Sequence, residues 1–292
     1  MTGKPSQQNA FIDLHENLCG FQAGSVAGPC MPVTSMVKQY GEIRTGTNYL
    51  RALIQRNFPD VQVLSYILGS KHLPPAPFAE IWEETQQAGS DTAFDFVATA
   101  TYSRRGGASH PKDRTQQEEL RQRAPRIATA YETGALGFLV SIKHPYAWVV
   151  SAARFNGWLR DDGKIHDCFR DALKDACLGY NRNYRSWLEL AQAHRPRTCI
   201  VRYEELLADP GRVVGEMAAQ FGWNPCEVFT AVPAIVEPTP WDHLPVAEAA
   251  ESFRPEYYSG GEYLRHLPPE QLQLIDALMD WDLMRELGYA RS

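Results

Sequence analysis

An α/β domain, with a central parallel sheet and helices on both faces, is the architecture this sequence predicts. Three observations predict it. Short runs rich in β-branched and aromatic residues alternate with stretches whose apolar residues recur at helical spacing, the order that gives parallel strands joined by helical crossovers. One of those runs passes through a glycine-bearing turn directly into an amphipathic helix at residues 40–50. The chain's 292 residues, 44% hydrophobic and 22% charged, suffice for a sizeable core without disulfides or metal.

In order, residues 1–10 read as a flexible tail and 11–292 as one domain, with no repeat and no linker composition between them. Residues 33–40 predict the first strand. GEIRTGTN, 41–48, is a turn, and Tyr49, Leu50, Leu53, Ile54 and Phe58 mark a helix closed by Pro59. Residues 61–68 predict a second strand, running into GSKHLPP at 69–75, and 94–102 a further one. The polar stretch 103–126 carries seven Lys/Arg against three acidic residues and reads as a solvated loop or as a lid over an anion. GFLVSIK, 137–143, is a buried strand, followed by a helix with Pro145 near its start. Phe169, Leu173, Ala176, Cys177, Tyr180, Tyr184, Trp187, Leu188 and Ala191 trace a long amphipathic helix. Residues 198–203 predict a strand, 213–221 a helix, and 269–287 one last helix.

Composition narrows the function. A net charge of −6, from 29 basic and 35 acidic residues, is not that of a general nucleic-acid binder. No apolar run approaches the roughly 18 residues of a membrane span, and the polar N-terminus lacks a signal peptide's core. The six cysteines make neither a CxxC pair nor a zinc spacing, so free thiols in a cytoplasmic protein are expected, without a metal.

The chemistry concentrates in YGEIRTGTNYL, 40–50. Strand, glycine turn and helix together present backbone N–H groups and a helix N-terminus, the usual cradle for phosphate, in a P-loop NTPase-like arrangement. Gly41 and Gly46 keep the interval of GxxxxGK[ST], but Thr47 and Asn48 stand where Lys and Ser/Thr are needed. The lysine that reaches a γ-phosphate is absent, and Arg44 inside the loop is the cation instead.

At this point the sequence resembles the sulfotransferases that use 3′-phosphoadenosine 5′-phosphosulfate (PAPS). Arg44, Thr45, Gly46, Thr47, Asn48 and Tyr49 match their phosphosulfate loop. Lys143 and Ser151, eight residues apart in KHPYAWVVS, match the pair that meets the 3′-phosphate. GSKHLPP is similar to the segment with the catalytic histidine, and residues 200–223 and 280–289 also look like the family. The resemblance covers about 33–75 and 136–289. It implies transfer of a sulfuryl group to a hydroxyl or amine of a small-molecule acceptor, leaving adenosine 3′,5′-bisphosphate (PAP).

In that reading Arg44 stabilises the leaving phosphate while Thr45, Gly46, Thr47 and Asn48 bind it. Lys143 and Ser151 take the 3′-phosphate, and Tyr49 and Tyr203 flank adenine. His72 is the general base, Lys71 contacts sulfonate oxygens, and Arg254 in FRPEYYSGGEY stands in for a C-terminal arginine. The chain departs from the family's pattern in having Arg at 44, Lys at 143 and Lys71 directly beside His72. Two alternatives stand beside it: a PAP-binding module impaired in catalysis, prompted by those departures, and an atypical P-loop kinase using ATP. Nothing in the sequence encodes the acceptor or the oligomeric state.

Overall fold

The computed structural model describes residues 35–64, 71, 72, 74, 126, 127, 129–159, 169–224, 228–231 and 255–291. The predicted strand 94–102, all but the last residue of the basic segment 103–126, the tail 1–10 and Arg254 lie outside the described residues.

Four parallel strands form one sheet in the order β2-β1-β3-β4: β1 Ser35–Gly41, β2 Val61–Leu64, β3 Leu136–Ile142 and β4 Thr198–Arg202. β1 and β3 are buried along nearly their whole length, as expected of strands covered on both faces. Their alternate residues divide two cores. Val37, Leu139 and Val201 face one layer, with α1 (Thr47–Asn57) and α5 (Pro210–Phe221). Met36, Tyr40, Phe138, Val140 and Ile142 face the other, with α2 (Pro145–Phe155) and α3 (Phe169–Ala193). The short helix α4 (Tyr203–Ala208) follows β4, and α6 (Pro255–Ser259) precedes the C-terminal helices.

One predicted element is corrected. Residues 269–287 form two helices, α7 Pro269–Leu278 and α8 Trp281–Glu286, instead of one. Asp280 makes the break: its carboxylate accepts from the Leu283 amide as the cap of α8, while its own amide donates to Asn181 on α3 at 3.1 Å. Periodicity alone passes over such a break, because the apolar stripe resumes in register.

The long helix α3 fixes the end of β3. Its tyrosines bury their rings in the core and spend their hydroxyls on strand-end carbonyls, Tyr180 to Lys143 at 2.6 Å and Tyr184 to Ser141 at 2.7 Å. No helix among the described residues is long and apolar enough to cross a membrane.

Candidate functional site

The strand order reverses between β1 and β3, so the segments leaving their carboxyl ends diverge and open a crevice. Loop 42–46 leaves β1 there, and Lys143 and His144 leave β3.

The loop is shaped by contacts that only certain residues permit. A Cβ on Gly46, at φ 82°, would lie 2.3 Å from the Tyr203 ring, so glycine alone fits. Arg44 adopts the left-handed region at φ 71°, a strain of about 1–2 kcal/mol for an L-residue, and its side chain is exposed. Its guanidinium stands 5.3 Å from the Phe155 ring centroid. Trp148 Nε1 donates to the Ile43 carbonyl at 3.0 Å, and Thr45 donates to the Glu42 carbonyl from its amide at 3.2 Å and its hydroxyl at 2.7 Å. α1 then begins with no side-chain cap and no acid in its first turn, leaving its N–H groups and positive dipole end to an anion.

Thr45 and Thr47 are buried, and the Thr45 hydroxyl is committed to holding the loop. Asn48 is exposed. Tyr49 lies in the core on α1's inner face, and Tyr203 packs on Gly46.

Lys143 and Ser151 come together. The ammonium donates to Ser151 Oγ at 2.8 Å and toward the Arg44 carbonyl at 3.4 Å. It is sandwiched by aromatic rings, 4.2 Å from the Tyr203 centroid and 3.5 Å from that of Tyr258, whose hydroxyl is 2.9 Å from Ser151 Oγ. Burial holds the lysine's pKa well below its ordinary value; Arg44 and Arg154 push the same way and Glu204 opposes them. Among the described residues no ion pair neutralises this ammonium.

On the other side of Gly41, residues 71 and 72 pack against the loop. The Gly41 amide donates to the Lys71 carbonyl at 2.8 Å, and His72 Nδ1 is 2.6 Å from the Gly41 carbonyl. A carbonyl only accepts, so Nδ1 carries the proton and Nε2 is the acceptor nitrogen of the neutral ring. Lys71, 2% exposed, donates to Asn48 Oδ1 at 2.5 Å, which leaves the Asn48 NH₂ as the donor available to a ligand. Burial, with Arg51 adding to it, lowers the Lys71 pKa to about 7.

Two residues of the site escaped the sequence reading. Glu42 is half-buried at the head of the loop, its carboxylate accepting from Asn183 Nδ2 and its amide donating to Tyr184 Oη at 3.4 Å. Burial pushes its pKa up to about 7. An acid inside a phosphate-type loop was the signal for it. Tyr258 lies in FRPEYYSGGEY, where the reading chose Arg254 and gave the tyrosine no role.

No protein-family model matches the chain, and no curated protein does. Among solved structures the chain is similar to the sulfotransferase domain from the Synechococcus PCC 7002 olefin synthase. Identity is 12%, over 91% of this chain and 99% of that one, with a TM-score of 0.45. At that distance the likeness bears on neither activity nor substrate.

Proposed function

We propose that the chain is a sulfotransferase, moving a sulfuryl group from PAPS to a hydroxyl or amine of a small-molecule acceptor. The observation that carries this reading is the Lys143–Ser151 contact at 2.8 Å, beside an uncapped helix N-terminus and a left-handed arginine. A nucleoside diphosphate needs one anion cradle; a donor with a separate 3′-phosphate needs two, and two sets of groups border this crevice. A buried ammonium held by two rings and a hydroxyl, with no ion pair among the described residues, fits an anionic group as its partner.

When bound, PAPS supplies a sulfuryl group on a phosphate leaving group. The chain's own residues do the rest. The first N–H groups of α1 and the Asn48 amide bind the 5′-phosphate, and Arg44 meets the charge that grows on it as the P–O–S bridge opens. Lys143 and Ser151 hold the 3′-phosphate and fix the register of the nucleotide. His72 accepts the acceptor's proton at Nε2, its ring oriented by the Gly41 carbonyl so that the basic nitrogen keeps a constant distance from the loop. Lys71 acts through Asn48, holding that side chain with its donor outward.

Calorimetric titration with PAP, then ADP and ATP, tests the reading. PAP is expected to bind at least about tenfold more tightly than ADP, the worth of a charge-assisted contact to the 3′-phosphate. Equal or tighter binding of ADP or ATP removes the role given to Lys143 and Ser151.

A further inference from the structure

Asn48, Arg51 and Gln55 lie three and four residues apart on α1 and so share its outer face, away from Leu50, Leu53 and Ile54. Lys71, the residue before His72, is tied to this face through its bond to Asn48. Arg51 stands three residues, about 4.5 Å along the axis, beyond Asn48. It is half-buried, and it is close enough to Lys71 to disfavour that residue's charge. Among the described residues no carboxylate pairs with Arg51 and no hydrogen bond engages it. Gly41 pairs with β3 on one side and donates to the Lys71 carbonyl on the other, and Lys71 in turn bonds Asn48, the neighbour of Arg51 on this helix face, so Arg51 lies on the His72 side of the loop.

A half-buried guanidinium beside a second cation, with no partner for its planar fork among the described residues, suits an oxyanion. The donor's two anionic groups already have their places in the proposed mechanism. We infer that Arg51 binds an anionic group of the acceptor, so that the enzyme's acceptors are hydroxyl or amine compounds carrying a carboxylate or comparable oxyanion. This rests on the sulfotransferase reading, and it assigns that reading a substrate class.

The test uses the full chain saturated with PAP, titrated with 4-hydroxybenzoate and, in parallel, with its uncharged counterpart 4-methylphenol. The carboxylate compound is expected to bind about tenfold more tightly, and Arg51→Gln to bring the ratio below about threefold, with Arg51→Lys in between. PAP affinity, measured first on each variant, should stay within about twofold, which also reports that the variants fold. Equal affinities, no binding of either phenol, or a preference that survives Arg51→Gln overturns the inference while leaving the donor reading intact. A raised KM for PAPS in Arg51→Gln overturns it too, by assigning the arginine to the donor. Absence of PAP binding in the unmodified chain is the separate failure of the donor reading, and the inference falls with it.

Discussion

Two lysines follow or flank the carboxyl ends of neighbouring strands, and both are buried, yet their surroundings differ in kind. Lys143 has two aromatic rings, a serine hydroxyl and a backbone carbonyl around it; Lys71 reaches an amide oxygen on an exposed asparagine. Rings and hydroxyls solvate a cation without neutralising it, so the Lys143 corner keeps its attraction for an anion at the cost of a strongly disfavoured charge. The Lys71 contact consumes the ammonium in orienting a neighbour, and that lysine influences a ligand through Asn48. The difference separates a binding corner from a positioning corner, and four measurements press on it.

The largest effect is expected on the Lys71 side of the crevice. His72→Ala should lower kcat by about 10²–10⁴-fold, the usual contribution of a general base, while PAP affinity moves less than about twofold. Steady-state kinetics alongside PAP titration checks both; a parallel loss of PAP affinity would make His72 a binding or structural residue. Next is the binding corner. Lys143→Met should weaken PAP by about 10–100-fold and leave ADP nearly unchanged, the selectivity that marks a 3′-phosphate contact. An equal loss for both nucleotides would dissolve the distinction between the corners.

Gly46→Ala tests the hinge between them. The clash with Tyr203 and the φ of 82° should cost about 2–4 kcal/mol of stability, seen as a lowered midpoint in urea at constant slope. Little change there would mean that Tyr203 moves freely and is no wall of the site.

The smallest effect is one of pH. Above about 7 Glu42 gains its charge and Lys71 loses its own, and both changes oppose an anion. PAP affinity should therefore fall a few-fold between about pH 6 and pH 8, and Glu42→Gln should flatten part of that slope. A slope that is unchanged in Glu42→Gln would assign it to the lysines alone.

Much of the frame was legible because it rests on short-range rules. Burial on both faces makes β3 a nearly continuous apolar run, and the 3.6-residue period exposes α1 and α3 whatever they pack against. Even so, Lys38 and Gln39 are buried within β1, where hydropathy reads a weaker strand, since the chain's neighbours enclose them. The break at Asp280 was not legible either: it depends on Asn181, about a hundred residues away in sequence. In the site, the eight-residue interval from Lys143 to Ser151 did anticipate a contact, because a strand end and the second turn of the following helix converge by local geometry alone.

What the sequence by itself determined is the order of strands and helices, the glycine loop and the candidate cations, since these follow from periodicity, sterics at φ > 0 and covalent spacing. Apart from Ser151 beside Lys143, only the tertiary structure decided which groups the site's side chains meet. Tyr258 over Lys143, Asn183 on Glu42, the Gly41 carbonyl on His72 and Arg51 beside Lys71 join residues from separate elements. Burial and charge act through space, and no spacing along the chain encodes how close two such elements come.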